Sequence, residues 1–479
     1  MSEIVKHSSA QLKHEISLLK QEIRELYLND DRVLLVGFSG GKDSSLVLAI
    51  TLEALTELPI ESLHKTVYVL YSDTLMELLP VQEHTYSVLD STEKFSKKNN
   101  LPIKVIHAKP KLEDTMWSMM IGKGIRASST DNRWCTTRLK TDVQQRILKE
   151  TFNTEDFSTI SIVGSRKEES ADRANRLEKS TIKRHLKGHS LYSKTLVFAP
   201  IEDFSTRDVW DALFSSKLGR SLLKVQELSA LYASTQGEGE ECQTILGNAN
   251  NNGDNPGCGA SQGRFGCWSC PLQYKKDKAL VGLADTYPYI KHLIEFRDWI
   301  VSTRDGQWEK YRDVYNHKDF TRLTYNRDNH RFGMNAPGGM SVKARQDILE
   351  RLLLTESKIK TSIDFKLISD GELDFIQHRW ILEGDFALNA QKIAKKYGRN
   401  VNVSNEDLDL IAFATIMFNQ KKTWESRVIY WYNIYPNERF CIQFVKQMIE
   451  KKGNKGLFKV LEKLLNGDDT IVARSYVAN

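Results

Sequence analysis

The residues with the clearest chemical potential form one short run of small, hydroxyl and charged side chains. The run is Ser39-Gly40-Gly41-Lys42-Asp43-Ser44-Ser45. The apolar residues 33–36 before it predict a buried strand, and residues 44–58 predict a helix. Backbone N–H groups and the positive end of that helix would therefore meet at this point. Glycines allow close approach of a phosphate, Lys42 adds a charge and the serines add hydroxyl donors.

This run predicts a phosphate-binding loop. It lacks the Gly-x-x-x-x-Gly-Lys spacing of a Walker A loop. The alternative is a glycine-rich turn that opens a helix without any ligand.

A second set of candidates consists of cations that follow later predicted strands. They are Arg133, Lys140, Arg166 and Arg173, with Gly164 beside the third of them. Cations in these places could surround a phosphate chain and stabilise the charge that develops as pyrophosphate leaves. Any single one is more commonly a solvated surface residue. Asp43 and Asp73 are candidate Mg²⁺ contacts, although either could instead cap a helix or turn.

Four of the six cysteines form a C-x15-C-x8-C-x2-C pattern across a stretch rich in Gly and Asn. They are Cys242, Cys258, Cys267 and Cys270. Four thiolates can hold structural zinc or an iron–sulfur cluster, and the spacing leaves both open. Four unrelated buried thiols are the alternative, but the stretch has few apolar residues to bury them.

Cys135 lies between Arg133 and Arg138, whose charges would lower the pKa of a thiol. It could carry sulfur, contact the substrate or simply fill space. Cys441 has apolar neighbours and is expected in a core.

The elements that would position these residues alternate between strand and helix. Apolar runs at 67–70, 103–106, 160–163 and 196–198 follow the first strand, with helical stretches at 83–98 and 141–150 between them. This alternation predicts an α/β domain with a doubly wound parallel sheet.

We expect four segments along the chain. They are an amphipathic helix at 1–29, a nucleotide domain at 30–215, a cysteine-rich region at 216–285 and a mainly helical domain at 286–479. In the last of these, Ser369 and Glu372 predict a capping box.

Composition and charge limit which classes of protein this chain can belong to. The 479 residues are 40% hydrophobic with a net charge of +6, and no run approaches the roughly 18 apolar residues of a membrane span. The polar N-terminus has no signal-peptide pattern, so we expect a cytoplasmic protein without membrane contact. The charge permits nucleic-acid binding but does not demonstrate it.

The run at 39–45 resembles the signature of the ATP pyrophosphatases, which cleave ATP between its α and β phosphates and adenylate an oxygen of the substrate. Within them the chain is similar to the phosphoadenylylsulfate reductase branch. The matching segments are Asp73-Thr74, Arg133-Trp134-Cys135-Thr136 with Lys140, and Gly164-Ser165-Arg166 with Glu168, Ser170 and Arg173.

This resemblance implies an adenine nucleotide alpha hydrolase-like fold that binds ATP and Mg²⁺ through these segments. It assigns catalysis to Lys42, Asp43, Cys135 and Arg166.

A narrower resemblance includes the cysteine-rich stretch, Gly338-Gly339-Met340 and the helical tail. With these, most of the chain is similar to the DNA phosphorothioation sulfurtransferases of the DndC and SspD type. That similarity implies a [4Fe–4S] cluster on the four cysteines, with zinc as the alternative. It also implies DNA as substrate, sulfur from a cysteine desulfurase and other phosphorothioation proteins as partners. The N-terminal helix could pack on the body or in a homo-oligomer.

Three alternatives remain. The chain could reduce or transfer adenylylated sulfate, or it could thiolate transfer RNA by the same adenylation chemistry. In a different class, it could be a nucleotide-responsive DNA-binding subunit. The phosphate contacts would then come from basic residues of the C-terminal part: Lys395, Lys396, Arg399, Lys421, Lys422, Lys451 and Lys452.

Overall fold

The structure is a computed structural model. It describes residues 7–129, 132–153, 158–169, 181–188, 194–234, 265–271, 278–305, 311, 323–326, 331–334, 339–360, 363, 365–383, 385–409 and 411. By its internal contacts the chain divides into two compact units. The first comprises Met1–Pro110 and Ser128–Arg297, and the second comprises Lys111–Ala127 and Asp298–Asn479.

The first unit is built on a sheet of seven strands. These are β1 (Val33–Phe38), β2 (Val67–Ser72), β3 (Ile103–Ala108), β4 (Thr159–Ile162), β5 (Thr181–Lys183), β6 (Leu186–Gly188) and β7 (Leu196–Phe198). Their order is β3-β2-β1-β4-β7-β6-β5. The first five strands in that order are parallel, and β6 and β5 add an antiparallel edge.

Helices accompany this sheet in the chain order expected for a doubly wound fold. They are α1 (Ser9–Asn29), α2 (Lys42–Thr56), α3 (Leu79–Lys98), α4 (Trp134–Thr136), α5 (Asp142–Phe152), α6 (Thr206–Ser215), α7 (Lys217–Ser221), α8 (Val225–Ser234), α9 (Lys278–Thr286) and α10 (Ile290–Asp305). A π-helical turn, Thr137–Thr141, joins α4 to α5. The predicted α/β class and all five predicted strands are confirmed.

The core explains why the apolar runs become strands. Leu34, Val36, Val69 and Ile160 are buried, and α2 is buried along most of its length. The amphipathic α1 packs on α2, and Leu19 is one of its buried residues. Because both faces of the parallel strands are covered, they read as continuous apolar runs rather than alternating ones.

The second unit is mainly helical within its described residues. It contains α11 (Val342–Ile359), α12 (Asp370–Leu382), α13 (Asn389–Lys396), the end of α10, and a hairpin of β8 (Leu323–Asn326) and β9 (Arg331–Met334). The predicted capping box at Ser369 and Glu372 opens α12. Two buried indoles tie the π-helical turn Ser118–Gly122 and its neighbours to this core: Trp117 Nε1 donates to Leu367 O at 2.8 Å, and Trp380 Nε1 donates to Ile121 O at 2.9 Å.

No helix among the described residues combines the length and the apolar composition needed to cross a membrane.

Candidate functional site

The chain passes from β1 into α2 through residues 39–45, which we call the phosphate loop. Strand β1 lies between β2 and β4, so the sheet order reverses beside this loop. In open α/β sheets, ligands bind at the carboxyl ends of strands at such a switch point. The predicted loop therefore occupies the position in the fold that best suits a ligand.

Two glycines bring the backbone of this site together. Gly40 has φ +75°, and a Cβ there would lie 2.0 Å from Thr85 Oγ1 on α3. At Gly164, after β4, a Cβ would lie 2.7 Å from the carbonyl carbon of Asp43. Only glycine fits both positions, because one needs the left-handed conformation and the other needs direct backbone contact.

The start of α2 has no side-chain cap, because Gly41 occupies the N-cap position. First-turn amides of a helix have no intrahelical acceptor, and the helix dipole makes this end positive. A negatively charged phosphate fits such an end.

The three serines of the loop differ in their contacts. The Ser39 and Ser44 hydroxyls are 3.1 Å apart, and Ser44 Oγ donates to Gly41 O at 3.0 Å. Ser45 is fully buried, and its Oγ has no hydrogen-bond partner among the described residues. A buried hydroxyl without a partner is costly, so the Ser45 hydroxyl and the glycine-lined backbone together suit a loop that binds a phosphate group.

Lys42, Asp43 and Arg166 form a chain of opposite charges. Lys42 Nζ lies 2.9 Å from Asp43 Oδ2, and Arg166 Nε lies 2.6 Å from Asp43 Oδ1. The buried guanidinium of Arg166 also donates to Glu168, to Phe204 O and to Thr206 Oγ1. Arg166 thus pairs with Asp43, and Asp43 in turn pairs with Lys42 of the phosphate loop.

Asp73 and Thr74 follow the neighbouring strand β2 and are both buried. Asp73 Oδ1 accepts from Leu75 N at 3.0 Å, while its Oδ2 accepts from the Tyr86 hydroxyl and lies 3.4 Å from Lys109 Nζ. Asp73 therefore organises the end of this strand.

Glu77 completes this part of the site. Its carboxyl accepts from Thr74 Oγ1 at 2.7 Å. Burial raises the pKa of Glu77 above its usual value, against the opposing effect of the Thr74 hydrogen bond.

The segment that contains Cys267 and Cys270 packs on the end of β2. We call residues 267–270 the cysteine turn, since Cys270 N donates to Cys267 O at 3.0 Å. Trp268 N donates to Met76 O at 3.0 Å, and Cys267 Sγ lies 3.6 Å from Thr74 Oγ1. Burial raises the pKa of the Cys267 thiol to about 12. The cysteine turn and the phosphate loop thus lie at the carboxyl ends of adjacent strands. Cys242 and Cys258 lie outside the described residues.

The remaining predicted residues lie on the helical segment after β3. Arg133 and Lys140 are exposed, and Cys135 is partly exposed without a disulfide. The charge of Lys140 counteracts the raised pKa values of Glu77 and Cys267, which places it near the cysteine turn. Arg173 lies outside the described residues.

Several residues of this site carried no signal in the sequence. Thr85 and Tyr86 come from the middle of α3, and Tyr232 from α8 touches the backbone of Lys42. Each is an ordinary helical residue by pattern. Only tertiary packing brings it to the loop.

Comparison with known proteins identifies the family of this chain. A sequence profile described as the phosphoadenosine phosphosulfate reductase domain matches residues 33–273, half of the chain. The chain belongs to this family. The broader resemblance, to the phosphoadenylylsulfate reductase branch of the pyrophosphate-loop proteins, is therefore confirmed.

Two curated relatives match part of the chain. Uncharacterized protein MJ0066 of Methanocaldococcus jannaschii is 28% identical over 41% of this chain and 34% of its own length. Uncharacterized protein MJ0973 of the same organism is 27% identical over 42% of this chain and 40% of its own length. The match thus spans about a third to two fifths of these curated relatives.

Two solved structures are similar in part. Phosphoadenylyl-sulfate (PAPS) reductase from Candida auris, as a phosphate complex, has 14% identity and a TM-score of 0.27, covering 44% of this chain and 87% of that one. The U34-tRNA thiolase NcsA from Methanococcus maripaludis, with its [4Fe-4S] cluster, has 13% identity and a TM-score of 0.27, covering 60% and 80%.

Proposed function

We propose that this chain is an ATP-dependent sulfurtransferase that adenylates a DNA backbone phosphate, so that sulfur can replace a non-bridging oxygen. The observation that best supports this is the position of the cysteine turn. Cys267 Sγ lies 3.6 Å from Thr74 Oγ1, at the end of the strand next to the one that leads into the phosphate loop. A phosphate-binding element and a pair of thiols at one sheet edge suit nucleotide activation coupled to sulfur chemistry.

The phosphate loop would bind the β and γ phosphates of ATP. Backbone amides at the start of α2 and the Lys42 ammonium would stabilise the charge on pyrophosphate as it leaves. The attacking group would be a phosphate oxygen of DNA, and the α phosphorus of ATP would be its target. The terminal sulfur of a persulfide, supplied by a cysteine desulfurase, would then attack the activated DNA phosphorus and displace AMP. A second thiol would attack the inner sulfur of the resulting S–S bond, which leaves the phosphorothioate on DNA and a disulfide on the sulfur carrier.

Arg166 would act through Asp43 rather than on the phosphates. All three of its guanidinium nitrogens already donate to protein groups. The cations better placed to reach a polyanion are the exposed Arg133 and Lys140. Arg173 remains a prediction of the same kind.

The two described cysteines fit a metal-binding turn. Two residues separate them and their backbone closes a tight turn, a spacing typical of a pair of metal-binding cysteines. Neither forms a disulfide among the described residues. Cys242 and Cys258 would complete the set. A [4Fe–4S] cluster there would supply one-electron chemistry and a fixed geometry, whereas zinc would supply geometry alone.

The carboxyl groups of Asp43 and Asp73 are poorly placed to bind a Mg²⁺ ion, because their oxygens already have partners. Both oxygens of Asp43 face a cation, and Asp73 is engaged by Leu75, Tyr86 and Lys109. We therefore assign positioning roles to Asp43 and Asp73.

The test combines labelled nucleotide with DNA. The chain, a cysteine desulfurase and DNA are incubated with α-labelled ATP, and nuclease-digested DNA is analysed by mass spectrometry. We expect AMP, pyrophosphate and phosphorothioate-linked dinucleotides. Cys267→Ser should abolish thiolation. Formation of ADP without AMP would contradict the proposed cleavage, and AMP formation without thiolated DNA would leave the cleavage but remove the DNA substrate.

Reduction of adenylylated sulfate is the second candidate, and family membership favours it. Arg133 occupies the N-cap position of the short helix Trp134–Thr136, which leaves the Cys135 side chain partly exposed, as a substrate-facing thiol would require. Sulfite release from phosphoadenylylsulfate and a thiol reductant would favour this reaction. Thiolated nucleosides in digested transfer RNA would favour the third candidate instead.

The DNA-binding-subunit alternative loses one of its predicted contacts. Arg399 is buried in ion pairs with Glu356 and Asp370, so it is not available to DNA phosphates. Lys421, Lys422, Lys451 and Lys452 lie outside the described residues.

A further inference from the structure

Tyr232 lies on α8, 190 residues along the chain from Lys42, yet its hydroxyl reaches the phosphate loop. The hydroxyl oxygen accepts a hydrogen bond from the backbone N–H of Lys42 at 3.4 Å. Lys42 is the first residue of α2, so this N–H is one of the donors that has no acceptor within the helix. A Cβ on Gly41 would lie 3.3 Å from the same hydroxyl oxygen, which places Tyr232 directly over the loop backbone.

The ring of Tyr232 makes a second contact with the same residue. Lys42 Nζ lies 5.5 Å from the ring centroid, within the range of a cation–π interaction. Two aromatic neighbours hold the ring: Trp210 at 5.3 Å and Phe265 at 4.6 Å between centroids, both nearly edge-on. The ring therefore restrains the Lys42 side chain, and Trp210 and Phe265 restrain the ring.

The hydroxyl and a nucleotide phosphate need the same donor. One N–H has a single hydrogen, and a charged phosphate oxygen is a stronger acceptor than a tyrosine hydroxyl. The contact at 3.4 Å is long for a hydrogen bond, so a better acceptor can displace it.

We propose that Tyr232 is a positioning residue of the nucleotide site: its ring holds Lys42, and its hydroxyl occupies the place of a phosphate oxygen until nucleotide binds. This rests on the proposed function, because it requires that the loop bind a phosphate chain. The two parts of the side chain then act in opposite directions. The ring favours binding, whereas the hydroxyl competes with it.

Two substitutions separate the parts. Tyr232→Phe keeps the ring and removes the competing hydroxyl, so it should bind the non-hydrolysable analogue α,β-methylene-ATP about two- to tenfold more tightly than the parent chain. Tyr232→Ala removes the ring as well, so it should bind about threefold or more weakly than Tyr232→Phe. Inorganic pyrophosphate, which lacks the nucleoside, should give the same order. A purely structural tyrosine would weaken binding in both variants.

Isothermal titration of the full chain measures these affinities, with the thermal unfolding midpoint as a check on folding. Tyr68→Phe is the matched control. That tyrosine lies near the start of β2, away from the carboxyl edge, and packs on Phe152, so its variant should bind like the parent. If Tyr232→Phe bound with parent affinity or more weakly, the proposal would be overturned while the proposed function stood. If the parent chain bound neither probe, the proposed function itself would fail.

Discussion

Both units of the molecule bury charged side chains, but they treat them differently. In the second unit, the guanidinium of Arg399 donates to Glu356, to Asp370 and to Ile368 O. Glu356 in turn accepts from Leu367 N at 2.8 Å. These charges join α11, α12 and the segment after α13. They also bind the backbone groups Leu367 N and Ile368 O. Such a network resembles a structural brace.

In the first unit, the buried charges lie beside the start of α2, where the first amides have no acceptor within the helix. Lys42 and Arg166 share Asp43 at a junction where two glycines force backbone segments together, and the nearby Ser45 hydroxyl lacks a partner among the described residues. Burial of charge alone therefore does not identify a site. Burial beside the first amides of a helix, at a topological switch point, does.

The largest effect expected from this comparison is on catalysis. Lys42→Met keeps most of the apolar stem but removes the ammonium, so it should lower the rate of ATP cleavage about 10²- to 10³-fold. The unfolding midpoint should change little, because Asp43 keeps Arg166. Single-turnover release of labelled AMP measures the rate.

Lys167→Met provides the control for Lys42→Met. Lys167 pairs with Asp203 at 2.7 Å in a more exposed setting, and its loss should leave the rate unchanged. Equal losses in both variants would mean that the loop lysine has no special role.

In the second unit, we expect the largest effect on stability rather than on catalysis. Arg399→Ala leaves the buried Glu356 carboxylate without its main partner, and breaking such a pair costs about 3–5 kcal/mol of stability. Chemical denaturation followed by fluorescence should show it. Binding of α,β-methylene-ATP should persist at temperatures where the variant is folded.

Lys396→Ala is the control for that change, since its pair with Glu350 at 3.0 Å is exposed. Its loss should cost less than about 1 kcal/mol. If Arg399→Ala abolished nucleotide binding without destabilising the protein, the distinction between the two units would be wrong.

The parallel sheet and the phosphate loop were predictable because their signals are local. Buried parallel strands read as apolar runs, and the loop's glycines and lysine are contiguous in the chain. Strands β5 and β6 were missed, because each has three residues and mixed polarity, and their pairing depends on contact with β7. Helix α3 begins at Leu79, earlier than the predicted residue 83, with a proline in its first turn.

The partners of the predicted site residues were not accessible from sequence. The sequence identifies Arg166 as a cation but not that Glu168, Phe204 and Thr206 occupy its donors. The same holds for Tyr232, because no spacing rule links residues so far apart. The charges were predictable, whereas their assignment to a phosphate or to a neighbouring side chain required the fold.

A smaller effect on stability should accompany Gly164→Ala. A Cβ there would lie 2.7 to 2.9 Å from backbone atoms of Asp43 and Ser44, so the loop must shift. Overpacking of this kind costs about 1–3 kcal/mol, and nucleotide affinity should fall as well. Gly188→Ala is the control, because a Cβ at Gly188 meets nothing within 4 Å. Urea denaturation and isothermal titration measure the two effects, and parent-like affinity in Gly164→Ala would argue against the loop as the binding site.

The smallest effect tests which member of the Arg399 network matters. Hydrogen bonds from Lys366 and then from Arg399 lower the pKa of Asp370 below its usual value of 3.8. A carboxyl whose pKa is lowered by folding adds stability above that usual value and loses it as the pH falls through the lowered value. Asp370 is largely exposed, with 54% of its side chain accessible, so solvent screening keeps this contribution under about 1 kcal/mol. Asp370→Asn should therefore lower the urea midpoint slightly near neutral pH, and the difference from the parent should shrink as the pH falls below 3.8 and vanish below the lowered pKa of Asp370. A loss as large as that of Arg399→Ala would mean that the brace depends on its exposed acid rather than on the buried Glu356.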